Sequence, residues 1–180
     1  MVAATGQLLR RRGYSGTSVS DFLDAAGAAN GSLYHHFPGG KEELASAAIE
    51  AAAEQVEAAL QSAFEATDDV VVAAQRSIDV MIAAFEADPR DGCRVAPTAL
   101  DAAGISEPLR LAAAAAFARW SSVFERALAR TRDADTAAAQ ALVLLSSIEG
   151  ALLLDRTSHS TEHLKALRDA VPTLLARSAG

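Results

Sequence analysis

Between Asn30 and Lys41 the chain gathers side chains that hydrogen-bond well and react poorly: Asn30, Ser32, Tyr34, His35, His36 and Lys41, with Gly31 among them. Amide, hydroxyl, imidazole and ammonium groups suit recognition of base edges and phosphate oxygens rather than bond breaking. Two other sets invite different chemistry. His159-Ser-Thr-Glu162-His163 has the His-x-x-Glu-His spacing of some zinc peptidases. Zinc there needs both imidazoles on one helical turn, but Ser160 reads as the N-cap of the last helix. That leaves His159 outside it, and no third ligand with its own motif appears. Cys93 is a lone thiol, a sensor of oxidants only if exposed and acidified. No serine lies in a Gly-x-Ser-x-Gly setting, and neither a phosphate loop nor a dinucleotide fingerprint occurs. The chain is expected to be no enzyme and to use no cofactor or metal.

The polar set must be held by helices. Thr17 or Ser18 can cap a helix whose Val19, Phe22, Leu23 and Ala26 recur at helical spacing. Gly27 suits its end, because glycine enters the left-handed conformation without a β-carbon clash. A second helix from Ala29 or Asn30 to His36 has only Leu33 and Phe37 as clear apolar anchors. Its other side offers Asn30, Gly31, Ser32, Tyr34, His35 and His36, and a helix about 10 to 12 Å across fits a major groove about 12 Å wide. Pro38, Gly39 and Gly40 then break the chain, and Lys41 opens the next helix near its positive end, where a phosphate is welcome.

Residues 5 to 45 resemble the TetR/AcrR family of bacterial transcriptional repressors. Leu8, Leu9, Gly13, Tyr14 and Thr17 are similar to its first helix and connection, and Gly31-Ser-Leu-Tyr-His-His-Phe37 with Lys41-Glu-Glu-Leu44 is similar to its signature. The three residues Pro38-Gly39-Gly40, where the family usually has two, and Gly92-Cys93-Arg94-Val95 followed by Leu100-Asp101, resemble an LmrA/YxaF-like branch. The resemblance implies Thr17 and Ser18 at a phosphate, Asn30, Ser32, Tyr34 and His35 facing the groove, and His36 and Lys41 near the DNA backbone. Leu33 and Phe37 would be core. The chain begins almost at its first helix, so a minor-groove contact from a basic arm is not expected.

Charge agrees with this placement. The net charge of −7 is uneven: residues 1–41 hold four Lys/Arg and two Asp/Glu, net +2, and the remainder twelve and twenty-one, net −9. An acidic body repels phosphates and confines binding to the basic end. One cysteine and no signal segment point to a cytoplasmic chain. The apolar run 137–154 contains Gln140, Ser146, Ser147, Glu149 and Gly150, so it reads as a buried helix rather than a membrane span.

The expected fold is all-α with about nine helices. An N-terminal three-helix domain with a helix-turn-helix, residues 1–45, precedes a larger ligand-binding and dimerisation domain, residues 46–180. Helices are expected at about 41–66, from 68 or 69 to 87, 94–103, from 108 to 130, 134–154 and 160–177, the last bent at Pro172. The last two are expected to build an isologous four-helix dimer interface, spacing two heads about 34 Å apart on a palindromic operator. Met81, Phe85, Phe117, Trp120 and Phe124, with Cys93, are the candidate lining for a small hydrophobic effector, although the same residues also suit plain core. The family comparison implies that the effector tilts the long helix and releases operator DNA. The alternative is a helical dimeric adaptor or small-molecule-binding protein that has lost DNA binding.

Overall fold

The computed structural model describes residues 1–29, 31–90 and 92–176, and the calls on Asn30 and on the chain beyond Ala176 lie outside them. The described residues form nine α-helices and no strand. These are α1 (Val2–Arg12), α2 (Val19–Ala26), α3 (Ser32–His36), α4 (Gly40–Glu65), α5 (Val70–Ala87), α6 (Ala96–Ala102), α7 (Glu107–Leu128), α8 (Ala134–Ser158) and α9 (Glu162–Leu174). They divide into two compact units, one of Met1–Gln55 with Cys93–Phe117, the other of Val56–Gly92 with Ala118–Gly180. The segment carrying α6 therefore clusters with the N-terminal helices.

In the first unit, Leu9, Phe22, Leu23, Leu33 and Leu44 are buried. α2 is fixed at both ends. At its start the Ser18 hydroxyl accepts the Asp21 N–H at 3.1 Å while Asp21 accepts the Ser18 N–H at 2.7 Å, a reciprocal capping box. The Ser18 hydroxyl, donating to the Asp21 carboxylate, and then the Ser18 N–H hold that carboxyl below its ordinary range. At its end Gly27 is left-handed (φ 60°), and the N–H groups of Gly27 and Ala28 close onto Asp24 and Leu23. α3 begins at Ser32, later than the sequence suggests, with Gly31 before it and no side-chain cap.

The second unit is held by Phe64 against Phe124, ring centroids 5.5 Å apart, and by buried Ile78, Phe85, Leu144, Ile148, Leu164 and Val171. α9 packs on both α5 and α8. Its interior Pro172 has no N–H to offer the Arg168 carbonyl one turn back, and the Gln75 amide of α5 donates to that carbonyl instead, at 3.1 Å. Ser160 is not the N-cap of α9 as expected, although its hydroxyl accepts the Glu162 N–H at 3.4 Å. The helix follows Thr161, and the fully buried Asp155 of α8 accepts the His163 and Leu164 N–H groups, both at 2.9 Å. A carboxylate from the preceding helix satisfies two first-turn donors better than a local serine can.

α8 is long and apolar enough to cross a membrane by composition alone. It buries Ala137, Ala141, Leu144, Ile148, Ala151, Leu152 and Asp155, yet exposes Leu142, Val143, Leu153 and Leu154. It is thus buried along one face rather than all round.

Candidate nucleic-acid interface

α3 is a five-residue helix with one fully buried anchor, Leu33, and a half-buried neighbour, Phe37. A helix this short is not stable alone, so packing of Leu33 sets its orientation. Tyr34, 61% exposed, lies outward with His35 and His36, whose rings meet edge to face at 4.9 Å. Gly31 is exposed and a β-carbon there would meet nothing within 4 Å, while Ser32 is half-buried. The Tyr34 ring rests over Gly40, whose added β-carbon would lie 3.1 Å from Tyr34 Cε1. Gly40 also has φ 68°, so two constraints favour glycine at the mouth of α4.

Thr17 and Ser18 separate in role. Thr17 is buried, and its hydroxyl faces the carbonyls of Gly13 (3.1 Å) and Tyr14 (3.0 Å). The phosphate contact expected of it does not fall to that hydroxyl, which is committed to the turn. Ser18 is exposed at the N-terminus of α2.

Lys41 also differs from the free cation that the sequence suggests. Its ammonium donates to the Tyr14 carbonyl at 2.8 Å and sits 3.9 Å over the Tyr14 ring. Burial lowers its pKa, against the opposing pull of the Asp101 and Asp21 carboxylates. Burial, and then Glu42, raises the Tyr14 phenol. Lys41 therefore braces α4 against the α1–α2 connection while adding positive charge to that side.

Sequence reasoning counted Arg10, Arg11 and Arg12 only as net charge. They form the last turn of α1, where cations complement the helix dipole, and Arg12 pairs with Asp21 at 3.3 Å. It gave Asp101 only as part of the branch resemblance, with no role. That α6 carboxylate accepts the Ser15 N–H at 3.0 Å, across 86 residues of sequence. Nearby, Ser106 donates to Glu42 at 2.7 Å, and Arg94 to Gln55 at 2.7 Å. Besides that resemblance, the local signal for Asp101 was its place in a short helix beginning at Ala96-Pro97.

The six candidate effector-lining residues divide between the units. Phe85, Trp120 and Phe124 are buried and Met81 half-buried in the second, whereas Cys93 and Phe117 are half-buried in the first. The Cys93 sulfur faces the N–H groups of Val95 and Ala96, at 3.4 and 3.3 Å, at the start of α6. His159 is left-handed at the end of α8, outside α9, and His163 Nδ1 faces Asp155 at 2.8 Å. The two imidazoles do not share a helical turn, so the zinc-peptidase arrangement does not form.

Residues 2–48 match the family model described as bacterial regulatory proteins, tetR family. Residues 70–170 match that of the transcriptional regulator LmrA/YxaF-like C-terminal domain. The chain is 32% identical over 179 residues to the HTH-type transcriptional regulator LmrA of Bacillus subtilis (strain 168), covering 98% of this chain and 95% of that one. It is 34% identical over 173 residues to the HTH-type transcriptional regulator YxaF of the same organism, covering 95% and 91%. A solved TetR transcriptional regulator from Legionella pneumophila superposes with a TM-score of 0.86 at 21% identity, covering 96% of this chain and 93% of that one, a likeness of fold.

Proposed function

Because this chain belongs to the TetR family of bacterial transcriptional regulators and carries an LmrA/YxaF-like C-terminal domain, we propose that it acts in the cytoplasm as a homodimeric repressor that a small hydrophobic effector releases from a palindromic operator. The observation that carries the DNA-binding part is α3: Leu33 is fully buried while Tyr34, His35 and His36 stand exposed together. Base contacts would come from Ser32, Tyr34 and His35, with Asn30 beside them. Phosphate contacts would come from Ser18, His36 and the Gly31 backbone. Lys41 contributes charge and holds the frame.

The dimer reading rests on α8. Leu142 and Leu153, and Val143 and Leu154, are each eleven residues apart, three helical turns, and so share one exposed face. Exposed Ser146 and half-buried Gly150, whose added β-carbon would meet nothing within 4 Å, leave room between them for a partner helix. An isologous pairing of α8 and α9 buries this face and fixes two heads about one duplex turn apart.

The effector would be lined by Met81, Phe85, Trp120 and Phe124 of the second unit. Linkage makes release reciprocal: operator DNA must weaken effector binding by the factor through which effector weakens DNA binding, usually about 1 to 3 kcal/mol.

His35→Ala is expected to weaken binding to the selected operator by about 1 to 3 kcal/mol, relax specificity at one base pair and leave the salt dependence unchanged. Fluorescence anisotropy on operator and random duplexes over a salt series checks this. Equal weakening on both duplexes would remove His35 from base reading. Failure of the wild-type protein to select any duplex at low salt would overturn the proposed function.

A further inference from the structure

One peptide group in the α1–α2 turn is gripped at both ends by opposite charges. Its carbonyl, that of Tyr14, accepts Lys41 Nζ of α4 at 2.8 Å. Its N–H, that of Ser15, donates to Asp101 Oδ2 of α6 at 3.0 Å. The peptide is trans, so ammonium and carboxylate lie on opposite edges, and each polarises the group in the sense that strengthens the other bond. The turn is shaped for this grip. Gly13 has φ 70°, and a β-carbon on it would overlap the Asp101 carboxylate. Thr17 bonds the same Tyr14 carbonyl from below, through its hydroxyl at 3.0 Å.

α6 is a short helix that buries Thr98 and Ala102. It packs on α1, where Thr5 of α1 and Thr98 of α6 bury hydroxyls that have no hydrogen-bond partner among the described residues. Its flanks are tied to α4 by Arg94–Gln55 and Ser106–Glu42, and the bond from Asp101 reaches the turn leading into α2. We infer that Asp101 is a positioning residue for DNA binding: with Lys41 it clamps the Tyr14–Ser15 peptide and so sets the angle of α2 and α3. The inference rests on the DNA-binding reading above.

Electrostatics alone predicts the opposite sign. Removing an acidic side chain from the basic end should tighten DNA binding, since a carboxylate repels phosphates. The clamp predicts weaker binding. The experiment measures anisotropy of a duplex that the wild-type protein has selected from a random library, with Asp101→Ala, Asp101→Asn, Lys41→Met and the Lys41→Met/Asp101→Ala pair. Asp101→Ala is expected to lose about tenfold in affinity for the selected duplex, and Asp101→Asn, which keeps an acceptor oxygen, to recover most of it. The double variant should bind no more than about twofold more weakly than Lys41→Met alone, because a clamp broken at one end gains nothing from the other.

Hydrogen exchange of the Ser15 amide, without DNA, should quicken in Asp101→Ala while the amides of α8 keep their protection. If Asp101→Ala does not fold, Asp101→Glu, which moves the carboxylate one methylene farther out, should show the same loss. Wild-type or tighter affinity in Asp101→Ala, or independent losses in the double variant, would overturn the clamp. A wild-type protein that selects no duplex defeats the DNA-binding reading instead, and Ser15 exchange still reports whether the bond is there.

Discussion

Asp155→Ala is expected to destabilise the protein by about 2 to 4 kcal/mol, the scale for losing hydrogen bonds to a buried carboxylate together with a helix cap. Asp155 is fully buried and accepts the His163 and Leu164 N–H groups and His163 Nδ1, all within 2.9 Å. Alanine would leave the buried Leu164 N–H and the part-buried His163 N–H unpaired and uncap α9. Burial pushes the Asp155 carboxyl up, but the bonds from Leu164, the His163 N–H and the His163 ring outweigh it, and the carboxyl lies below its ordinary value. A carboxyl depressed on folding contributes stability above its unfolded pKa, near 3.9, and loses that contribution as pH falls through the folded value.

Urea unfolding of wild type and variant should therefore show a gap at neutral pH that narrows below about pH 4. A gap under about 1 kcal/mol at neutrality would mean that water replaces the carboxylate without loss. A gap unchanged in acid would mean that charge has no part in it. Asp155→Asn, which keeps an acceptor, should lie between the two.

Asp155 also illustrates what the sequence does and does not disclose. Periodicity and turn chemistry found the helices, including the α2 end at Gly27 and the cap of α5 at Asp69, which accepts the Val71 and Val72 N–H groups. Those signals are local, because cap and capped group lie within a turn of each other. The α9 cap comes from eight residues upstream on another helix, so the nearer Ser160 looked sufficient. The reading head was legible because one short segment contains both its anchor, Leu33, and its exposed set. Lys41 and Asp101 were not, since their partners lie 27 and 86 residues away and helix crossings decide who meets whom. Thr17 shows the same limit on a smaller scale. Its type suits a phosphate, but the turn places its hydroxyl on Gly13 and Tyr14.

Leu142→Glu and Leu153→Glu, together, are expected to give a folded monomer whose operator affinity falls by two orders of magnitude or more, the usual yield of joining two weak sites in one molecule. The two leucines are 59% and 54% exposed in the single chain, and glutamate is a good helix former, so the fold of the protomer should lose little. In the proposed isologous interface each substitution occurs twice, bringing four carboxylates into an apolar contact. Sedimentation should report a monomer at micromolar concentration, with circular dichroism unchanged. Each head would keep its affinity for a half-site, because Leu33 and α3 are untouched, so binding to a half-site duplex should match that of wild type while binding to the full palindrome collapses to the same level. A variant that stays dimeric would place the interface elsewhere and leave the exposed face of α8 without its proposed occupant. A monomer that still bound the full operator tightly would separate DNA binding from dimer geometry and remove the reason for a palindrome.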